Sequence, residues 1–499
     1  MFKFKSEFSL KPDFMRNLIL WSFLLCTANA FAQSSEDPIP AFGKVTRSEM
    51  EMKECAFDKN AEAEILLENK EVLCKLYAYS VDTEIKRHIR IKILNNKGLD
   101  HANIHIPFYD HNGEEKISDL QANTYNLSPS GEVIVSQVDK KSFYKKALNK
   151  RISEIVFTFP EVKPGSVIEY EYKVLSAGVD GVGIWYFQRS LPVKLSRYKL
   201  TLPEEIETIN RPYGNMQVKE TSAKEKYNNI TVYTMNDVPA LREEPYMTCA
   251  DDYLWRISVR LTGIRTPQRY YPLGSSWGRI VAGLMQDYDF GDQLKKDIPR
   301  TDELEALVKK AHGDYEKMAT IFYYVQKNME WNGYDNIWAL NGVKTAWKEK
   351  KGTTGEINLI LVNLLKQAGL DAHPLLVSTR ENGRINIDEP SYRQFNKVLG
   401  LVGIKNRLFI LDATDKFSSP KLIPYDVMYS DGLLVEKFET FEWGWKSIWD
   451  QKQLLKEVTI LMADVDSTGS ISGEATINSY DYSRYKILKK INKNEKAKA

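Results

Sequence analysis

Residues 351–369 read KGTTGEINLILVNLLKQAG and predict the helix on which the rest of the fold depends. Thr353 and Glu356 have the spacing of a capping box, in which each side chain satisfies a free backbone N–H of the first turn. Apolar residues then recur at the helical period and are expected to face a core: Ile357, Leu361, Leu364 and Leu365. Gly369 is a typical stop signal, so the helix is predicted to run from the capping box through Ile357–Ala368.

Two helices are predicted before this one, and three strands after it. Thr301 is a favourable N-cap for the first helix, Gly313 is expected to end it, and Asp314 is expected to cap the second. The strands are predicted at Pro374–Thr379, Phe395–Val402 and Leu408–Leu411. Helices followed by strands predict an α+β domain, which we place at residues 250–445.

The preceding residues, 45–245, predict an all-β domain, because alternation with period two recurs between turn signals. Ile85–Ile93 alternates with polar residues before the turn at Asn95–Gly98, and Ile168–Val174 does so after Lys163–Gly165. Strands of this kind favour a β-sandwich.

Alternation of apolar and polar residues with period two returns near the end of the chain. Val458–Ala463 and Ile471–Ile477 flank a turn-rich stretch and predict a hairpin, and Lys486–Ala499 is basic and amphiphilic. Two strands are too few to close a β domain. Residues 455–499 are therefore interpreted as the incomplete start of a third, β domain in a multi-domain chain.

Composition excludes some classes of partner. The 499 residues exceed what one core supports, and 69 Lys+Arg against 67 Asp+Glu leave a formal net charge of only +2. That balance gives no general attraction to nucleic acid. The Cys and His residues do not have zinc spacing, so neither a metal nor a cofactor is expected.

The N-terminus carries a targeting signal. Arg16 precedes the apolar run Leu18–Cys26 and the small-residue site Ala30–Ala32, which predicts a signal peptide over residues 1–32 and a mature start at Gln33. The run is shorter than the ~20 apolar residues of a spanning helix, so no transmembrane segment is expected after cleavage. We expect export to the periplasm, to the cell envelope or out of the cell.

Cleavage would leave three cysteines, Cys55, Cys74 and Cys249. An oxidising compartment favours a disulfide between Cys55 and Cys74. Buried free thiols are the alternative, and the sequence leaves both open.

The helix start at residues 351–356, followed by Phe395–Val398 and Leu411–Thr414, resembles the transglutaminase-like superfamily in order and spacing. The stretch Phe157–Tyr170 resembles a domain of unknown function that precedes such domains in exported proteins of Gram-negative bacteria. Together the resemblances cover most of residues 45–440. They imply a papain-like α+β fold for the second domain.

Active members of that superfamily use a Cys at the helix start, a His on the following strand and an Asp on the next. A helix N-terminus and an adjacent imidazolium both favour the thiolate. The resemblance matches Thr354, Lys397 and Asp412 to these positions, so only the Asp is retained. If Lys397 pairs with Asp412 it stays protonated and is a poor base, which implies a non-catalytic site.

Three functions remain open from the sequence. The first is an exported, non-catalytic protein that binds a peptide, a glycan or an envelope protein. The second is a hydrolase or acyl-transfer enzyme that uses Thr354 with Lys397 and Asp412, since Ser–Lys catalysts exist. The third is an architectural spacer. Three tryptophans before the helix are candidates for lining a groove, although ordinary core packing is the favoured explanation: Trp331, Trp338 and Trp347.

Overall fold

The structure is a computed structural model that describes residues 39–77, 80–178, 182–215, 217–273, 276–435, 443–449 and 455–496. The predicted signal peptide, residues 1–32, lies outside this part of the chain. No helix among the described residues is long and apolar enough to cross a membrane. The described chain forms a β-rich region, an α+β region and a terminal hairpin followed by a helix.

The first region consists almost entirely of strands after a short helix, α1 (Arg47–Glu51). In chain order the strands are β1 (Ala63–Leu76), β2 (Val81–Ile93), β3 (Asn103–Tyr109), β4 (Glu115–Leu127), β5 (Val133–Gln137), β6 (Tyr144–Ala147), β7 (Ile152–Thr158), β8 (Val167–Ala177), β9 (Ile184–Tyr186), β10 (Val193–Pro203), β11 (Ile206–Tyr213), β12 (Lys219–Glu225), β13 (Asn228–Val238), β14 (Arg256–Arg265) and β15 (Tyr270–Pro272). The largest sheet has the order β12-β13-β10-β1-β2-β8-β4-β5, with β1 and β10 parallel. A second sheet contains β3, β7 and β6, and a third contains β9, β11, β14 and β15.

One hydrophobic core joins these three sheets. It contains Ile89 of β2, Ile106 of β3, Phe157 of β7 and Val259 of β14, all of them buried. The two smaller sheets therefore pack against the largest one, as expected for layered β structure. Because β14 shares this core and pairs with β11, and β15 pairs with β14, the β-rich region continues beyond the predicted limit at residue 245.

The opposite face of the largest sheet buries charged side chains. Arg90 and Glu169 are 2.6 Å apart with both side chains fully buried, and Glu49 of α1 lies 2.8 Å from the same guanidinium. Lys92 donates to a carbonyl oxygen of α1 at 2.8 Å. The alternation along β2 thus separates an apolar buried face from an ion-paired buried face, because α1 covers the polar side.

The second region places its helices before its main sheet, as predicted for an α+β domain. Its helices are α2 (Trp277–Gln286), α3 (Asp302–Lys310), α4 (Asp314–Asn328), α5 (Val343–Glu349) and α6 (Thr354–Gln367). Its strands are β16 (Glu330–Trp331), β17 (Lys351–Gly352), β18 (Asp371–Val377), β19 (Lys397–Ile404), β20 (Arg407–Leu411), β21 (Ser430–Val435) and β22 (Trp443–Ile448). The last five form an antiparallel sheet in the order β20-β19-β18-β21-β22.

Helix α6 is the centre of this region. It packs on β18 and β19 and is buried from Thr354 to Leu365. The residues predicted to face the core have no exposed surface: Ile357, Leu361, Leu364 and Leu365. The prediction for this helix is therefore confirmed.

The caps of the two earlier helices are partly as predicted. Thr301 caps α3 and accepts from the Leu304 N–H at 3.2 Å. Gly313 does not end α3, which ends at Lys310, but is the N-cap of α4, and Asp314 is the first residue of that helix. The chain leaves α3 at Ala311, whose backbone is extended, and Gly313 then leads into α4 with a φ of +84°, which is readily adopted only by glycine.

The terminal strands β23 (Leu455–Val465) and β24 (Ile471–Tyr480) form the predicted hairpin, with Val465 opposite Ile471. Helix α7 (Asp481–Lys496) follows. Its Tyr485 hydroxyl donates to Asp415 Oδ2 at 2.6 Å and its Tyr482 hydroxyl to the Ile423 carbonyl at 2.8 Å, which docks α7 on the α+β region.

The predicted disulfide between Cys55 and Cys74 is wrong, because both are buried free thiols, as is Cys249. The Cys55 thiol hydrogen-bonds Glu64 at one end of β1, whereas Cys74 lies ten residues further along that strand. At about 3.3 Å per residue, Glu64 and Cys74 are on the order of 33 Å apart. A disulfide needs Cα atoms within about 7 Å.

Candidate functional site

Helix α6 begins with the predicted capping box. Thr353 Oγ1 accepts from the Glu356 N–H at 3.2 Å, and the Glu356 carboxylate accepts from the Thr353 N–H at 2.9 Å. Gly355 packs so closely on the preceding segment that an added Cβ would lie 2.6 Å from the Trp338 carbonyl oxygen. The helix start is therefore fixed against the segment 334–338.

Thr354, which the resemblance matches to the nucleophile, is fully buried at the first position of α6. Its hydroxyl donates to the Asn336 carbonyl at 3.1 Å and accepts from the Asn336 N–H at 3.0 Å. The single hydroxyl proton is thus directed to a carbonyl and not to Lys397. A hydroxyl held in this way is not activated as a nucleophile.

Lys397, matched to the catalytic His, is the buried first residue of β19. Its Nζ lies 2.7 Å from Asp412 Oδ2 and 2.7 Å from Asp426 Oδ2. Two carboxylates therefore hold one ammonium group at the position that the resemblance matches to a histidine.

Asp412 follows the last residue of β20 and is buried. Its Oδ1 accepts from Asn358 Nδ2 at 3.1 Å, from the Thr414 N–H at 3.0 Å and from Thr414 Oγ1 at 2.5 Å. With Lys397 on Oδ2, both oxygens of this carboxylate have partners. The side chain is fixed in the position that an orienting acid would occupy.

The electrostatics of this pair favour both charged forms. Burial lowers the pKa of Lys397, but Asp412, Asp426 and Asp335 raise that pKa more, and the result lies well above the ordinary value. Burial raises the pKa of Asp412, but the Lys397 ammonium lowers it more, and the result lies below the ordinary value. Lys397 is therefore protonated at neutral pH and has no lone pair with which to accept a proton.

Two carboxylates of this cluster have no signal in the sequence. Asp426 lies in the short 3-10 turn Tyr425–Val427, and Asp335 lies in the loop before α5. Burial raises the pKa of Asp335, whose carboxyl lies within hydrogen-bonding reach of Thr354. Its Oδ1 is buried and has no hydrogen-bond partner among the described residues. Neither residue belongs to a periodic element or a known motif.

A cleft of about 420 Å³ adjoins this cluster, between the β-rich and the α+β regions. Its walls are formed by residues 334–338 and 392–396 on one side and by residues 107–109 and 149–152 on the other. Six aromatic residues line it: Phe108, Tyr109, Tyr334, Trp338, Tyr392 and Phe395. Because Asn336 lines the cleft and also bonds Thr354, the cleft leads to the positions of Thr354, Lys397 and Asp412.

Arg151 joins the two sides of the cleft. Its guanidinium donates to Asp289 at 2.6 Å and to Asp287 at 2.9 Å, and its central carbon lies 4.1 Å from the ring centre of Trp338. Next to it, Asn149 Nδ2 donates to the Tyr334 hydroxyl at 3.0 Å. Both regions therefore contribute to the walls, and charged and polar bonds hold them together.

The three candidate tryptophans have separate environments. Trp338 lines the cleft, with its ring edge-on to Tyr392 at 5.6 Å between centres. Trp331 is exposed and is outside the cleft lining. Trp347 is buried in the core and donates to the Pro299 carbonyl at 2.9 Å. The structure thus places one of the three in the cleft.

Residues 81–242 match the family DUF3857. This family is described as a domain of unknown function with a solved structure. The DUF3857 match covers about a third of the chain, lies within the β-rich region and includes the wall residues 107–109 and 149–152. Among curated proteins no significant match was found.

Two crystal structures match 73% and 82% of the chain. A candidate protease from Parabacteroides distasonis is 16% identical, with a TM-score of 0.51, over 73% of this chain and 72% of that protein. A candidate cysteine protease from Cytophaga hutchinsonii is 9% identical over 82% of this chain and 93% of that protein, and its TM-score of 0.20 is too low to carry an argument. At this identity the first similarity shows a shared fold, with protease-like relatives, and does not assign chemistry.

Proposed function

We propose that this chain is a non-catalytic protein of transglutaminase-like fold that binds a ligand in the cleft between its two main regions. The observation that carries the proposal is the placement of Lys397, 2.7 Å from both Asp412 and Asp426. Acyl transfer by a hydroxyl requires a base with a pKa near the working pH. A doubly paired ammonium does not meet that requirement.

The cleft supports the binding part of the proposal. It is concave, lined mainly by aromatic and apolar side chains, and has a few convergent polar groups, which is the usual composition of a ligand site. Arg151, Asp287 and Asp289 hold its two sides together across the regions. A ligand would therefore meet a preformed surface.

Export is part of the same proposal. The apolar run Leu18–Cys26 and the site Ala30–Ala32 support cleavage before Gln33 and a place in the periplasm, in the cell envelope or outside the cell. Terminal sequencing of the protein recovered from the periplasm and medium tests it. A mature chain that retains Leu18–Cys26 would contradict cleavage.

A hydrolase that uses Thr354 is the second candidate, and one observation favours it. The Asp335 carboxyl lies within hydrogen-bonding reach of the Thr354 hydroxyl, and burial raises its pKa. In this candidate Asp335, and not Lys397, would accept the proton. The two candidates differ in whether Thr354→Ala abolishes a measurable turnover.

Ligand binding is tested by thermal unfolding of the full chain against short uncharged peptides and oligosaccharides. A ligand that binds only the native state raises its stability by RT ln(1 + [L]/Kd). We expect a shift that disappears in Tyr392→Ala and persists in the control Trp331→Ala, since Trp331 is outside the cleft lining. A shift that is equal in both variants would place the ligand elsewhere and contradict the proposal.

A further inference from the structure

The backbone N–H groups of the cleft walls are largely occupied within the protein. On one wall they bond side chains of the same loop or of α6: Tyr334 to Asn332, Asn336 to Thr354 and Trp338 to Asn336. On the same side of the cleft, the N–H group of Asn396 donates to the Val377 carbonyl. On the opposite side, the N–H groups of Arg151 and Ile152 donate to Asn149 Oδ1. An extended peptide is recognised chiefly by free groups of this kind. These walls offer few of them.

Aromatic rings supply most of the remaining surface. Tyr334 is 40% exposed, and Trp338 and Tyr392 are partly exposed. The rings of Trp338 and Tyr392 meet at 76°, and Arg151 covers Trp338 at 4.1 Å, so these rings have fixed orientations. Aromatic side chains of this kind pack against an apolar C–H surface while their polar ends remain available for hydrogen bonds.

Two polar atoms at the inner end of the cleft lack partners. Asp335 Oδ1 is an acceptor and Asn336 Nδ2 is a donor, and each is buried without a hydrogen bond among the described residues. Leaving such atoms unpaired costs free energy, which a ligand group that both donates and accepts would recover once either side chain turns toward it. A hydroxyl group does both.

The charges that line the cleft cancel. Glu115 and Asp335 are acidic, Arg151 and Arg393 are basic, and Arg151 is already paired with two carboxylates. We propose that the ligand is an uncharged saccharide, with the C–H faces of its rings on the aromatic residues and its hydroxyl groups on Asp335 and Asn336. The inference rests on the proposed function, since it names the ligand class of the same cleft.

The test is isothermal titration of the full chain with three probes of similar length. They are a β-1,4-linked glucose trisaccharide, its N-acetylated amino-sugar counterpart and an N-acetylated, C-amidated trialanine. We expect at least one saccharide to bind and the peptide not to bind. Tyr392→Ala should weaken saccharide binding on the order of tenfold, the upper range for the loss of one aromatic contact.

Two further variants keep the test independent of folding. Tyr392→Phe retains the ring and should bind within about threefold of wild type, whereas Asn336→Ala removes a proposed donor and should weaken binding, with an unchanged circular dichroism spectrum as the folding control. Peptide binding without saccharide binding would overturn the saccharide assignment and leave the proposed function intact. If no probe binds, or if the cleft variants bind as tightly as wild type, the saccharide assignment fails. If ligands of other classes then also fail to shift the thermal midpoint, the proposed function fails with it.

Discussion

The ammonium nitrogen of Lys397 lies 2.7 Å from a carboxylate oxygen of Asp412 and 2.7 Å from one of Asp426. One of these carboxylates is buried and the other is partly exposed, with exposed side-chain fractions of 1% and 41%. Removing a charge from the buried pair is therefore expected to cost much more than removing the outer carboxylate. This difference leads to predictions on protonation, stability and pH.

The first prediction concerns the protonation state of Lys397. Because Asp412 and Asp426 raise its pKa well above the ordinary value, its Cε–Hε signal in heteronuclear NMR of lysine-labelled protein should keep the shift of the charged form above about pH 10.4, where ordinary lysines lose their proton. Lys397→Arg assigns the signal. Asp426→Asn should lower the pKa, since one of the two stabilising charges is lost. A titration of Lys397 near neutral pH would contradict the account of the site.

The second prediction is that Lys397→Ala destabilises the fold strongly. It leaves Asp412 as a buried and uncompensated charge, for which we expect a loss of about 3–5 kcal/mol in the free energy of unfolding from denaturant titration. Lys351→Ala is the matched control, because it breaks the exposed pair with Glu330 and should cost less than about 1 kcal/mol. Equal losses in the two variants would show that the Lys397 pair is not buried in solution.

The third prediction is a change in acid stability. The folded pKa of Asp412 is below its unfolded value of about 3.9, so its contribution is present above that pH and is lost as the pH falls through the folded pKa. The Lys397 contribution is also stabilising but has the opposite pH dependence, since it is lost only at strongly alkaline pH. The free energy of unfolding should therefore fall less steeply below about pH 4 in Asp412→Asn than in wild type. If the free energy of unfolding falls equally steeply with pH in Asp412→Asn and in wild type, this prediction is contradicted.

The fourth prediction concerns the start of α6. Thr353→Ala removes the N-cap bond to the Glu356 N–H and should cost about 1 kcal/mol of stability. Thr345→Ala, at an exposed position within α5, is the control and should change stability by less than about 0.5 kcal/mol. A denaturation midpoint unchanged by Thr353→Ala would mean that the cap is not formed.

Local signals explain what could be predicted from the sequence. The capping box at Thr353 and Glu356, the helical period of α6 and the terminal hairpin each depend on neighbouring residues, and each is present. The predicted disulfide was wrong because the number of residues between two cysteines says little about the distance between them in the fold. Cys74 lies near the far end of the long strand β1. Contacts between distant residues, such as Arg90 with Glu169, likewise have no signature in the local pattern.

In the candidate site, too, some features could be predicted from the sequence and others could not. The pairing of Lys397 with Asp412 was predictable from the resemblance, since both residues match positions of one known arrangement. Asp426 and Asp335 were not, because each lies in a loop that only the tertiary fold brings to Lys397. The residues that line the cleft could not be predicted from the sequence either, because its walls bring together residues far apart in the chain, such as Asn149 and Tyr334, which are 185 positions apart.

The measurement that tests the central claim most directly is turnover of amide and ester peptide substrates by the wild-type chain and by Thr354→Ala. A nucleophile, a base near neutral pKa and an orienting acid must coincide for acyl transfer, and Lys397 is held in its charged form. We predict that hydrolysis and transamidation by the two proteins are indistinguishable from the buffer rate between pH 6 and pH 9. Turnover by wild type that disappears in Thr354→Ala would contradict the account and establish the Thr354 hydrolase, and its dependence on Asp335→Asn would then identify the base.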